Sequence, residues 1–114
     1  MTNQPTEQEL KERAVAPRVT LESLEASIAA ENYINAGQAA EALGQPATQS
    51  AHLLTLCILT MKNGFTVVGQ SACASPENYQ EDIGQRIARA DAIRQCWALL
   101  GYELRTQLME TSNG

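Results

Sequence analysis

The chain has 114 residues, a net charge of −5 and 44% hydrophobic residues, which suits a single folded domain. Nucleic-acid binding relies on a cationic surface, so nucleic acid is not expected as a partner. The longest apolar run, residues 51–61, is much shorter than the roughly 20 residues that span a bilayer. The polar N-terminus lacks the apolar segment of a signal peptide. We therefore expect no membrane partner.

The cysteines Cys57, Cys73 and Cys96 are widely spaced and odd in number. This pattern argues against a disulfide framework and favours a reducing interior, so we expect the protein in the cytoplasm. Residues 1–16 are predicted to form a flexible polar tail, residues 17–108 one domain, and residues 109–114 a frayed C-terminus.

Two helices are predicted at the start of the domain. Residues 19–33 carry apolar side chains at helical spacing (Leu21, Leu24 and Ile28), and Thr20 is suited to cap their N-terminal end. The next segment, "NAGQAAEALGQP", predicts a shorter helix that stops at Gly44.

A β-hairpin is the clearest local prediction. Two apolar, β-branched runs, residues 54–61 and 65–73, flank the sequence "KNG". Asn63 and Gly64 favour a tight turn because both residue types tolerate positive φ. We expect two antiparallel strands, extended by a third strand or by a second copy of the chain.

A long helix is predicted from Pro76 to Leu100, with Ser75 as its N-cap and Gly101 as its stop. Trp97 and Phe65 are predicted to anchor the core between this helix and the hairpin. The tail after Gly101 is expected to add a strand or a turn. The predicted fold is thus α+β, with N-terminal helices beside the hairpin. One apolar stripe is expected to face the sheet: Ile83, Ile87, Ala90, Ile93, Trp97 and Leu100.

The segment "GFTVVGQS", residues 64–71, comes close to the phosphate-loop pattern, but Gln70 replaces its lysine. The residues between the two glycines prefer extended backbone, so we reject an ATPase. Gly64 is better explained by the turn, and Gly69 by a bulge or a close backbone contact.

No catalytic residue, metal site or cofactor is predicted. His52 is the sole histidine and has no cysteine or acid at ligand spacing. Cys73 precedes a predicted helix N-terminus, which can lower the pKa of a thiol. It is the most plausible reactive thiol, but no base is evident, so a structural role is favoured over thiol chemistry.

Arg86, Arg89 and Arg94 are the remaining candidate site residues, together with Ser75 and Asn78 near the helix N-terminus. The arginines suit either a solvated helix flank or a contact with a small anion, a nucleotide or an acidic partner. Both interpretations stay open at the level of sequence.

The stretch from "LTLCILTMKNGFTV" through "SAC", "SPEN" and "IGQRIA", with "PRVTLESLEASIAAENYI" upstream, resembles the phage gene-49/gene-66 family. The resemblance implies a small phage or prophage protein acting in the bacterial host. Ala90, Ala98 and Leu100 differ from the usual family pattern and make the long helix more apolar.

Only 18% of the residues are charged, which is low for a surface that stays soluble alone. We therefore predict a non-enzymatic accessory protein that binds to itself, with a host protein as a further partner. The alternative is a protein that binds a small anionic ligand.

Overall fold

The computed structural model describes residues 4–13 and 16–113, apart from the side chains of Lys11, Arg13 and Asn113. It confirms the predicted α+β class, because a three-stranded antiparallel sheet packs against a long C-terminal helix. The helices are α1 (Glu7–Arg13), α2 (Leu21–Ala26), α3 (Ala36–Ala42), α4 (Gln49–His52) and α5 (Glu81–Asn113). The strands are β1 (Ile28–Asn35), β2 (Leu54–Met61) and β3 (Thr66–Ala72).

The predicted hairpin is present as β2 and β3, and its turn lies at Asn63 and Gly64. Gly64 adopts a φ of +91°, whereas Asn63 keeps a negative φ. The Gly64 amide donates to the Met61 carbonyl at 2.9 Å, and the Met61 amide donates to the Phe65 carbonyl at 2.8 Å. A three-residue loop with glycine in the left-handed region closes hairpins in this way. Glycine is therefore required at position 64 only, and not at both turn positions.

The third strand comes from a segment that was expected to be helical. α2 begins at its predicted cap, where the Ser23 amide donates to Thr20 Oγ1 at 2.9 Å, but it ends at Ala26. Residues 28–35 then pair with β2 as strand β1, so the single helix predicted over residues 19–33 is wrong. Pairing satisfies the second backbone edge of β2, and this long-range gain overrides a local helical pattern.

The side of α5 that faces the sheet differs from the prediction. Its buried residues are small and lie four residues apart: Gly84, Ala88, Ala92 and Cys96. They pack against the inward residues of the hairpin, which include Cys57, Leu59 and Val67. Of the predicted stripe, Ile93 and Leu100 are partly buried against this core, whereas Ile83, Ile87 and Trp97 are exposed. Helix and sheet lie too close together for large side chains between them, since a Cβ atom at Gly69 would overlap the backbone of Ala88 and Ala92.

The two aromatic residues expected as core anchors lie at its rim instead. Phe65 is 55% exposed and Trp97 is 36% exposed. Because the short side chains of α5 bring its backbone onto β3, the layer between them has no room for an indole ring. Leu24 of α2 fills the space at the side of this layer and is fully buried.

Both ends of α5 differ from the prediction. Ser75 and Pro76 begin a separate 3₁₀ turn, Pro76–Asn78, and α5 itself starts at Glu81. The Ser75 side chain caps neither segment. At the other end, Gly101 lies inside the helix, which continues to Asn113 and replaces the expected strand or turn. A lone glycine costs an exposed helix only about 1 kcal/mol, which is too little to end it.

The terminal segments contain helix as well. α1 lies within residues 1–16, which are predicted as a tail, and α5 includes residues 109–113, which are predicted to fray. Residues 1–3, 14, 15 and 114 of these segments lie outside the described part of the chain. Within that part, no helix is both long and apolar enough to cross a membrane.

Candidate binding surfaces

One face of the sheet is covered by α5, and in the described part of the chain no helix of comparable length lies on the other face. Register places the outward residues in rows across the three strands. These rows define what we call the open face: Ala30, Thr60 and Thr66; Asn32, Ile58 and Val68; Ile34, Leu56 and Gln70; then Leu54 and Ala72. Every residue of the open face keeps some exposure to solvent.

The open face is apolar at its centre and uncharged throughout. Along β2, the outward residues Leu54, Leu56 and Ile58 are half-buried, while the inward residues between them are fully enclosed. Val68 on β3 is 48% exposed. None of the residues of the open face is an acid or a base. An uncharged apolar surface of this kind is suited to a protein contact and to no ionic ligand.

Side chains of α5 occupy the outer edge of β3. Gln95 Nε2 donates to the Val68 carbonyl at 2.8 Å, and the Gln70 amide donates to Asp91 Oδ2 at 3.0 Å. That backbone bond, with a further bond from Arg94, lowers the pKa of Asp91. An exposed strand edge is a template for another strand, and these contacts block it in the middle of β3.

The structure brings the three candidate arginines to one side of α5. Arg86, Arg89 and Arg94 line a shallow groove between α2 and α5, which we call the arginine groove. Leu21, Ile93 and Trp97 supply its apolar lining. Trp97 therefore contributes to a surface and not to the core.

Arg89 is held by two acids. Its Nε donates to Glu31 Oε1 at 2.9 Å, and its Nη2 donates to Glu31 Oε2 at 3.1 Å and to Glu25 Oε2 at 2.8 Å. These bonds lower the pKa of Glu31 and raise that of Arg89. The Tyr33 hydroxyl also donates to Glu31. The pKa of the Tyr33 phenol is raised, mainly by burial. Arg89 thus joins α5 to α2 and β1, and its charge is compensated.

The other arginines also lie beside acids on their own helix. Arg94 Nη2 is 2.7 Å from Asp91 Oδ1, and Arg86 Nη2 is 3.9 Å from Asp82 Oδ2. The Arg86 pair is highly exposed, and such pairs hold their partners weakly. Arg86 is therefore the least constrained of the three arginines in this groove.

Ser75 and Asn78 do not line the arginine groove. Ser75 Oγ donates to the carboxylate of Glu77, which lowers the pKa of Glu77. Asn78 lines a separate small cavity with Cys73 and Tyr79. The predicted ligand set thus does not form one site, because α5 starts at Glu81, and Ser75 and Asn78 belong to the segment before it.

A family model described as the phage protein (N4 Gp49/phage Sf6 gene 66) family matches residues 19–108. The chain belongs to this phage protein family. Comparisons with curated proteins and with solved structures find no match. The matched range includes the whole sheet, the open face and the arginine groove, and it excludes α1. The family resemblance seen in the sequence is confirmed.

A groove of this phage protein that sequence reasoning missed lies beside the hairpin turn. Its volume is about 430 Å³, and it runs between the end of α2, the turn and α5. Met61, Phe65 and Leu99 line it, with Lys62 and Glu103 among its polar residues. The prediction that α5 ends at Gly101 and that Phe65 is buried concealed it. The available sequence signal was a large aromatic residue, Phe65, directly after the turn.

The cysteines of the phage protein differ in access. Cys57 and Cys96 are fully buried, and burial raises the pKa of both thiols. Cys73 is half-buried, and its Sγ donates to the Ser75 carbonyl at 3.1 Å. It follows the end of β3, and its own amide donates to the Leu53 carbonyl at 3.0 Å. All three thiols are free.

His52 occupies a packed position at the end of α4. Its ring lies against Gly37, where any Cβ would overlap it, and its Nε2 is 3.3 Å from Glu41 Oε2. Its carbonyl accepts from Asn35 Nδ2 at 2.8 Å. Among the described residues, no group of three His, Cys, Asp or Glu side chains converges on one point.

Proposed function

We propose that this phage protein acts by binding other proteins, in the first place a second copy of itself, and catalyses no reaction. The supporting observation is that its two-layer domain leaves large apolar side chains exposed on both layers. The backbone measures 16 Å along its shortest axis, a thickness that corresponds to one sheet packed on one helix. Val68 on the sheet layer is 48% exposed, and Ile87 and Tyr102 on the helix layer are 52% and 79% exposed.

The distribution of charge supports the same proposal. Only 18% of the residues are charged, and three of the four arginines in or near α5 lie beside acids of the same chain. Little unpaired positive charge therefore remains on α5 to recognise an anionic ligand, whereas exposed apolar side chains are abundant. Exposed apolar patches on small proteins commonly mark protein contacts.

Co-purification tests the self-association directly. A tagged and an untagged copy of the full chain are expressed together, and the tagged copy is captured. If the proposal is correct, the tagged copy retains the untagged chain. A tagged, unrelated acidic protein of similar size should not retain it. Absence of the untagged chain from the captured material at high expression contradicts the proposal.

The proposed place of action is the cytoplasm of the bacterial host, with a host protein as a second partner. Phage family membership and the free thiols support this location. Affinity capture from infected cells with mass spectrometry tests it. We expect a host protein in stoichiometric amount, and the same capture with an unrelated phage protein of similar size is the control.

Anion binding is the second candidate function, because one groove gathers Arg86, Arg89 and Arg94 beside Trp97. The ion pairs of Arg89 with Glu31 and Glu25 weigh against it, since an anion entering the groove competes with two carboxylates. The ion pair of Arg86 with Asp82 is exposed and 3.9 Å long, so Arg86 is the arginine most available to bind an anion.

A further inference from the structure

The central strand of the sheet has the composition of a strand that is covered on both faces. β2 reads "LTLCILTM", and its inward and outward positions are both largely apolar. An antiparallel sheet with one wet face normally alternates apolar inward residues with polar outward ones. Strands covered on both faces show a nearly continuous apolar run instead. β2 therefore carries a face for which residues 4–13 and 16–113 supply no layer comparable to α5.

We infer that a second copy of the chain covers the open face, so that two sheets pack face to face about a two-fold axis. This inference rests on the proposed self-association and assigns it a surface. The outward rows of Ile58 with Val68 and of Leu56 with Ile34 form the apolar centre of the contact. Face-to-face packing of two sheets at about 10 Å separation is a common arrangement.

Charge favours a second copy over a charged partner as the occupant of the open face. The chain carries a net charge of −5, so most ways of bringing two copies together oppose acid to acid. The open face holds no acid and no base, so it meets itself without repulsion. Asn32, Thr60 and Gln70 supply polar groups that suit its outer part. A charged partner finds no complementary group on this face.

The β3 edge of the sheet is not an equivalent route to a dimer. Gln95 and Asp91 of α5 already bond the backbone of β3 at Val68 and Gln70. A second sheet edge-to-edge at β3 must displace both contacts, whereas packing on the open face disturbs neither. Packing on the open face keeps both intramolecular bonds, which favours it over pairing at the β3 edge.

The size of the open face indicates how strongly two copies are expected to bind. Three strands of eight residues or fewer give a footprint of roughly 15 Å by 25 Å, from the usual strand spacing and rise. This is smaller than the roughly 800 Å² per partner of a standard interface. We therefore expect a reversible dimer that is weak enough to depend on concentration.

Two matched substitutions test the inference in the full chain by sedimentation equilibrium. Val68→Lys places a charge on the open face, and Ile87→Lys places the same charge on the helix layer. Val68 and Ile87 are both β-branched and are 48% and 52% exposed, so each position tolerates a lysine in the folded monomer. Asn32→Lys, on the opposite edge of the open face, is the second variant, and circular dichroism confirms that all three variants fold.

We expect Val68→Lys and Asn32→Lys each to raise the dimer Kd more than about tenfold, because each buries an unpaired lysine charge in a contact that holds no acid. Ile87→Lys is expected to keep the Kd of the unchanged chain. Equal Kd values for the unchanged chain and both open-face variants overturn the inference but leave self-association standing. Weakening by Ile87→Lys alone assigns the contact to the helix layer and also overturns it. A chain that is monomeric throughout contradicts the proposed self-association as well.

Discussion

Gly69 lies directly beneath the backbone of Ala88. A Cβ atom at position 69 would overlap the carbonyl oxygen of Ala88 and the backbone nitrogen of Ala92. β3 and α5 therefore lie too close together to admit a Cβ atom at position 69, and this contact limits which side of α5 can face the sheet. Only small side chains fit along the line of contact.

Gly69→Ala is expected to destabilise the fold by about 3 kcal/mol, since the helix must move away from the sheet to admit the methyl group. Urea unfolding measures this change. Gly101→Ala is the matched control, because nothing lies within 4 Å of a Cβ built there. That variant should gain about 1 kcal/mol through better helix propensity. A Gly69→Ala variant as stable as the unchanged chain contradicts the close contact.

Local sequence signals predicted the elements that depend on neighbouring residues. The hairpin follows from Asn63 and Gly64, and the α2 cap follows from Thr20, because turn and cap chemistry act over a few residues. β1 was missed because its pairing with β2 is a long-range interaction. The inward side of α5 was also missed, since the larger stripe with Ile87 and Trp97 is the more hydrophobic one. The close approach at Gly69 excludes that stripe from the core.

In the candidate site, too, the sequence predicted local features but not long-range ones. The arginines were identified from sequence, and their common side of α5 follows from helical spacing. Their acidic partners could not be predicted, because Glu25 and Glu31 come from α2 and β1. The open face was not predicted either, since it depends on the register of three strands. The sequence shows that Leu56 and Ile58 are apolar, but it does not show on which face of the sheet their side chains lie.

Glu31→Gln is expected to reduce stability by about 1 kcal/mol near neutral pH, because Arg89 loses its two-point carboxylate partner. The folded pKa of Glu31 lies below its ordinary value of 4.5. A lowered folded pKa contributes stability above the unfolded value and loses it as pH falls through the folded value. The difference between the two chains should therefore shrink as the pH falls below 4.5.

Glu22→Gln is the control for this comparison, since Glu22 is an exposed acid of the same helix as Glu25. Urea unfolding at about pH 7 and about pH 3 measures both variants. A Glu31→Gln deficit that is constant across this range contradicts the role given to the Arg89 pair. A Glu22→Gln variant is expected to match the unchanged chain within about 0.5 kcal/mol.

Thiol labelling should distinguish one cysteine from the other two. Cys73 is half-buried and reaches solvent, whereas Cys57 and Cys96 are fully buried with raised thiol pKa values. We expect one fast-reacting thiol in the folded protein and three in denaturant. Peptide mass spectrometry should assign the fast site to Cys73, and Cys73→Ser should remove it. Equal labelling of all three thiols in the folded state contradicts this placement of the cysteines.

A melting screen separates protein binding from anion binding. Because Arg89 and Arg94 are bonded to acids, phosphate, ATP and GTP are expected to leave the melting temperature unchanged within about 1 °C at ligand concentrations of about 1 mM. A larger increase that disappears in Arg86→Ala favours the anion-binding function. Arg105→Ala, an exposed arginine outside the groove, is the control for a loss of charge alone.

The mass of the full chain in solution tests the central claim most directly. Sedimentation equilibrium from about 1 µM to about 500 µM covers the range in which a weak dimer forms. Self-association predicts an average mass that rises from 12.4 kDa toward twice that value and falls again on dilution. A mass that remains at 12.4 kDa over the whole range contradicts self-association and leaves the apolar surfaces to a different protein.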